Sequence, residues 1–159
     1  MPSSMLIGVV SDTHGLFRPE LLPALAGVSH ILHAGDVGKP EILTQLARIA
    51  AVTAIRGNID GDIGGWGAWS CLPATEIIEL AGCLLYMVHA LQDLDLNPEA
   101  AGIGVVITGH THQASIERRR GVLYLNPGSA GPRRFQLGIT CALLRIQDAQ
   151  PEAEIVTLL

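Results

Sequence analysis

Residues 109–112 read Gly-His-Thr-His and follow the apolar run Gly104-Val105-Val106-Ile107-Thr108. In a strand, side chains alternate with period 2, so His110 and His112 are expected to leave a strand end on the same side. Neutral imidazoles bind divalent cations at pH 7 without a charge cost. A pair of surface histidines in a turn is the plain alternative, and the rest of the chain must decide. Four further stretches decide it. Met5–Val10 is a short, continuously apolar run that ends in Ser11-Asp12-Thr13-His14-Gly15, where Asp12 and His14 repeat the two-residue spacing. Residues 29–34 end in Gly35-Asp36, and residues 51–56 end in Gly57-Asn58-Ile59-Asp60. Residues 83–88 end in His89. Asp12 could instead cap a following helix, but Pro19 marks that helix start several residues later.

Collected in order, the strand-end set is Asp12, His14, Asp36, Asn58, His89, His110 and His112. One metal rarely takes seven ligands of this mix, whereas two metals sharing a bridging carboxylate use them all. Oxygen and nitrogen ligands without thiolate suit manganese, iron or zinc better than a closed structural zinc site. Two ions about 3.5–4 Å apart can generate a hydroxide and clamp the attacking and leaving oxygens of a phosphoryl displacement. Two divalent ions, less Asp12, Asp36 and a bridging hydroxide, leave a charge of about +1 to attract a phosphate anion. Asn58 can bind metal through its oxygen and still donate an N–H to a phosphate oxygen.

The elements that must position these residues are short. The first half reads as β-α-β-α-β, with helices expected over 19–26 and 40–50. That order predicts a mostly parallel sheet with right-handed crossovers. In such sheets, ligands gather at the carboxyl ends of the strands. His30 and His33 are odd-spaced on one strand and are read as structural, one near the strand start and one packed beside the site. The Gly-rich stretch 60–69 carries Trp66 and Trp69 and reads as a surface loop pinned by its indoles, with a mobile rim over the site as the sharper alternative. The second half reads as largely antiparallel: hairpins at Ala81-Gly82 and Arg120-Gly121, a turn at Asn126-Pro-Gly-Ser129, then strands over 139–147 and 152–158. Two sheets packed face to face with helices outside would bury the aliphatic content.

The length of 159 residues fits one domain over residues 1–159. Charged residues are only 16%, so some apolar surface is open to a partner subunit, and a homo-oligomer is compatible. The net charge of −5 argues against a nucleic-acid interface or an anionic membrane surface. Cys71, Cys83 and Cys141 form no C-x-x-C pair and read as reduced thiols of a cytoplasmic protein. The stretch Met1–Met5 lacks the basic region of a signal peptide, and no apolar run reaches the length of a membrane span.

The order D-x-H, G-D, G-N, H and G-H-T-H resembles the calcineurin-like metallophosphoesterase superfamily. The short length, the start Leu6–Asp12 and the closing Asn126–Ser129 resemble its small YfcE-type phosphodiesterase branch. The resemblance implies an α/β fold, a four-layer α/β/β/α sandwich with two mixed β-sheets. It also implies a dinuclear centre: one ion on Asp12, His14, Asp36 and His112, the other on Asp36, Asn58, His89 and His110, with Asp36 bridging. Manganese is the metal it implies first, with nickel, iron, zinc or magnesium as alternatives, and a small phosphoester as the substrate. The branch often reads G-N-C-D, and larger relatives carry a proton-donating histidine where this chain has Ile59. Ile59 cannot donate a proton, which leaves Asp60 as a candidate acid beside Asn58. The second reading is a non-catalytic scaffold or protein-interaction subunit on the same fold.

Overall fold

The computed structural model describes residues 4–159; residues 1–3, part of the stretch read for a signal peptide, lie outside it. Ten strands form two five-stranded sheets. The first sheet holds β1 (Ser4–Val10), β2 (His30–His33), β3 (Ala51–Ala54), β9 (Thr140–Gln147) and β10 (Gln150–Thr157), ordered β10-β9-β1-β2-β3. The second holds β4 (Thr75–Leu80), β5 (Cys83–Val88), β6 (Ile103–Ile107), β7 (Ser115–Arg119) and β8 (Val122–Asn126), ordered β4-β5-β6-β8-β7. Helices α1 (Leu21–Ala24) and α2 (Pro40–Ala47) link the first three strands, and α3 (Pro98–Ala101) precedes β6.

Both sheets are mixed. β1, β2 and β3 run parallel, as the β-α-β-α-β order demands. The second half departs from the antiparallel expectation at two points. β5-β6 and β6-β8 are parallel pairs inside the second sheet. β9 leaves that sheet and pairs antiparallel with β1, carrying β10 to the outer edge of the first sheet. Hydrophobic pattern alone cannot choose between these partners, because β9 is buried enough to serve either sheet. Helix α1 is also shorter than expected, since residues 18–20 form a turn that feeds it.

Alternation explains the layers. Ile7 and Val9 of β1, Leu32 of β2, and Leu85, Met87, Val105, Ile107, Leu123 and Leu125 of the second sheet form the core between the sheets. Val10 and Ile31 face the other way, against Leu21, Leu25, Ile42, Leu43 and Leu46 of the helices. Tyr86, Val88, Val106 and Val122 are covered on the far side by Leu94 and Leu96. Helix α2 begins with Pro40 at its first position, where the missing N–H costs nothing. Trp66 and Trp69 pack into the helix-side core, and Trp69 Nε1 donates to Thr44 Oγ1 at 3.2 Å. The Gly-rich loop is thus pinned to α2. No helix among the described residues is long and apolar enough to cross a membrane.

Candidate metal centre

The carboxyl ends of β1, β2, β3, β5 and β6 meet on one side of the molecule. Asp12 and His14 follow β1, Asp36 follows β2, Asn58 follows β3, His89 follows β5, and His110 and His112 follow β6. Placement at strand ends holds for all seven. The period-2 argument for how they point does not. Asp12, His14, Asp36, His110 and His112 all have positive φ, at 57°, 47°, 55°, 73° and 62°. They sit in left-handed turns rather than on extended strand. Each such non-glycine residue costs about 1 kcal/mol or more, and persists only where its surroundings over-determine it. Side-chain direction is therefore set by turn geometry, which strand periodicity does not report.

Two ligand groups result: Asp12 with His14 and His112, and Asp12 with Asp36 and His89. Asp12 Oδ1 lies 3.7 Å from His14 Nε2, 3.8 Å from His89 Nε2 and 3.5 Å from His112 Nε2. Asp36 Oδ2 lies 3.2 Å from His89 Nε2 and 3.6 Å from His14 Nε2, so both carboxylates reach between the groups. His14 Nε2 and His112 Nε2 are 3.2 Å apart. The Asn58 amide oxygen faces only acceptors, and its position is 3.1 Å from both His89 Nε2 and Asp36 Oδ2; turning the amide over would instead aim its N–H at them. His110 falls outside both groups. Its ring stands edge-to-face against His89, centroids 5.3 Å apart, beside a cavity of about 360 Å³ lined by Arg56, Asn58, His89, Ala90, Gln92 and His110.

The electrostatics fit cation ligands. Burial alone would raise the pKa of Asp36, but His89 and the N–H of Ile59, 3.0 Å from Oδ1, outweigh it and bring it down to about 2. Burial likewise opposes the Asp12 carboxylate, yet His14, Ser11, His89 and His112 hold its pKa below the usual range. His89 Nδ1 donates to the carbonyl of Ala34 at 2.7 Å, which leaves Nε2 unprotonated and aimed at the carboxylates in the neutral ring. Despite burial, Asp36 and that carbonyl raise its pKa. Burial, with Arg134 and His14, lowers that of His112. Asp12 Oδ1 is buried without a hydrogen-bond partner among the described residues, while three imidazole nitrogens surround it. An orphaned buried carboxylate oxygen costs several kcal/mol unless a cation satisfies it.

Close approach needs glycine at two positions. A Cβ on Gly57 would collide with Asp36, and one on Gly109 would collide with Ser11 and Asp12. Further polar groups support the seven, most of them from other residues. Ser11 Oγ and the N–H of His110 donate to Asp12 Oδ2 at 2.7 and 3.0 Å. Asn126 Nδ2 donates to Gly109 O and Thr111 Oγ1, both at 3.0 Å, and Ser129 Oγ donates to the Asp12 carbonyl at 3.0 Å. Asn126 was legible as a turn residue only, although an amide closing a strand is the same signal that singles out Asn58.

Carboxylates, amide and imidazoles thus gather at the strand ends of both mixed sheets, and residues 5–149 match the calcineurin-like phosphoesterase superfamily domain. The chain belongs to that superfamily. Among its relatives is a probable metallophosphoesterase of Methanothermobacter thermautotrophicus, 34% identical over 96% of this chain and 92% of the relative. Among solved structures, an archaeal phosphodiesterase superposes with a TM-score of 0.78 at 23% identity, covering 96% of this chain and all of that one. Vacuolar protein sorting 29 of Cryptosporidium parvum superposes with a TM-score of 0.77 at 18% identity, covering 96% and 97%. Both likenesses show the fold, and the two mixed five-stranded sheets are the superfamily's.

Asp60 has a different environment from the one its candidacy as an acid requires. It is 2% exposed, and both of its oxygens accept backbone N–H groups: Val37 and Gly57 at Oδ2, 3.0 and 2.9 Å, and Gly38 at Oδ1, 3.0 Å. It ties the turn after β3 to the turn after β2. Ile59 is 47% exposed and presents no donor beyond its backbone N–H, which goes to Asp36.

Proposed function

We propose that this chain hydrolyses phosphoesters, phosphodiesters first, at a dinuclear centre held by Asp12, His14, Asp36, Asn58, His89, His110 and His112. The observation that carries the reading is the buried, unpartnered Asp12 Oδ1 inside a ring of three imidazoles and beside Asp36. When bound there, divalent ions would lower the pKa of a water to near neutrality and offset the charge of the phosphate. Manganese is the first choice, with nickel, iron, zinc and magnesium as alternatives, because the donors are oxygen and nitrogen only.

The chain's own residues do the rest. Asp12 and Asp36 stay ionised at neutral pH and fix the positive charge in the basin. Asn58, exposed at the mouth, is placed to orient a phosphate oxygen through its amide. The cavity beside His89 and His110 gives room for an ester substituent. With Asp60 committed to the backbone, its part is to position Asn58 rather than to protonate a leaving group, so turnover should fall steeply as the leaving alcohol becomes less acidic. The substrate is a small phosphoester, and the three free thiols suit a cytoplasmic setting. The scaffold reading draws on the fold likeness alone, whereas a scaffold has no use for a complete ligand set.

The test is a chelator-treated chain, restored separately with manganese, nickel, zinc, iron and magnesium, and assayed on aryl phosphodiesters and monoesters. Hydrolysis that returns with metal supports the reading. Activity retained in excess chelator, or none with any metal, rejects it.

A further inference from the structure

The turns after β1 and β2 both carry ligand candidates in left-handed conformations, and one buried side chain joins them. His33 closes β2 and is 0% exposed. Its Nδ1 accepts the N–H of Gly35 at 3.1 Å, which places the ring proton on Nε2. Nε2 meets Thr13 Oγ1 at 3.0 Å, and that hydroxyl donates onward to the carbonyl of Val37 at 2.9 Å. The relay starts and ends on the β2 turn and passes through the middle residue of Asp12-Thr13-His14. Three backbone bonds run alongside it: Asp12 N–H to Gly35 O, His14 N–H to Asp36 O, and Gly15 N–H to Val37 O, at 3.0, 2.9 and 2.8 Å.

We infer that His33 is a positioning residue: acting through the Thr13 hydroxyl, it locks Asp12 and His14 in register with Asp36, so that the ligand set is preformed. This rests on the metal-centre reading above. The hydrogen bonds of His33 go to Thr13 and Gly35, so its contribution is made through geometry and not by ligation. Strained turns need such outside support, because their own conformational preference would release them. Groups that fix the orientation of metal ligands commonly change affinity by about ten- to a hundredfold when lost, and His33 acts on the ligands through the backbone of the turns that carry them.

The experiment is a calorimetric Mn2+ titration of the chelator-treated full chain, with free Mn2+ followed by electron paramagnetic resonance. Thr13→Val keeps the shape of the side chain and removes the hydroxyl; Thr13→Ser keeps the hydroxyl and removes the methyl. The relay predicts a ten- to hundredfold weaker Mn2+ affinity in Thr13→Val, and an affinity within about threefold of the parent in Thr13→Ser. His33→Leu should match Thr13→Val; should it not fold, the Thr13 pair carries the test. Parental affinity in Thr13→Val, or a larger loss in Thr13→Ser than in Thr13→Val, overturns the inference, since packing rather than the relay would then matter. A parent chain that binds no Mn2+ overturns the metal-centre reading and this inference with it.

Discussion

Asp60→Ala separates a clamp from an acid. In the structure, its carboxylate satisfies three backbone N–H groups drawn from two site-bearing turns. The N–H of Val37 is buried, and its loss of a partner should cost about 2 kcal/mol. Those of Gly38 and Gly57 are half-buried and can recover water, so about 1 kcal/mol each is the appropriate scale. The sum, about 4 kcal/mol, is a large share of the roughly 5–15 kcal/mol that holds a domain of this size together. With a urea slope of about 2 kcal/mol/M, the midpoint of the metal-free chain should fall by about 2 M. Asp60→Asn keeps one acceptor oxygen and should lose about half as much. The assay is equilibrium urea unfolding followed by circular dichroism. If Asp60 were a proton donor, stability would be untouched and turnover would fail only for poor leaving groups. An unshifted midpoint in Asp60→Ala, together with that kinetic pattern, refutes the clamp.

Burial lowers the pKa of His33 from about 6.5 to about 4. The unfolded chain therefore binds the proton first, and the contribution of His33, complete above pH 6.5, is lost as pH falls toward 4. Between pH 7 and 5 this amounts to about 2 kcal/mol. Urea midpoints at the two pH values should show that slope in the parent and not in His33→Gln; equal slopes would reject it. If the proposed centre forms, Asp36→Ala should abolish turnover and lower metal content, because Asp36 belongs to one ligand group and its Oδ2 lies 3.6 Å from His14 of the other; full metal content by metal analysis would contradict this. Gly57→Ala forces a methyl against Asp36 and should weaken Mn2+ binding with the ligands intact; parental affinity by calorimetry would show that the turn can give way.

Much of the site was legible because carboxyl strand ends follow from local pattern. Apolar runs end where Asp12, Asp36, Asn58, His89 and His110 begin, and a β-α-β-α-β order puts the first three of those ends side by side. The structure-supporting roles were less accessible. Asp60 next to Asn58 reads as chemistry until the turn after β2 is seen folding over it, and His33 reads as buried bulk until Thr13 is seen to accept its hydrogen bond. Two mixed sheets were legible, but the sheet that β9 joins was not, because a buried strand carries no mark of its partner.

By itself, the sequence determined which residues could bind cations and at which strand ends they stand, since alternation, turn residues and helix starts act over a few positions. Tertiary structure decided how they point and what holds them there. Five of the seven lie in left-handed turns, and such turns persist only through hydrogen bonds from distant segments: Asp60 across to Gly38, His33 across to Thr13, Asn126 across to Gly109. Those partners are separated by long stretches of chain, and long-range closure leaves no local pattern to read.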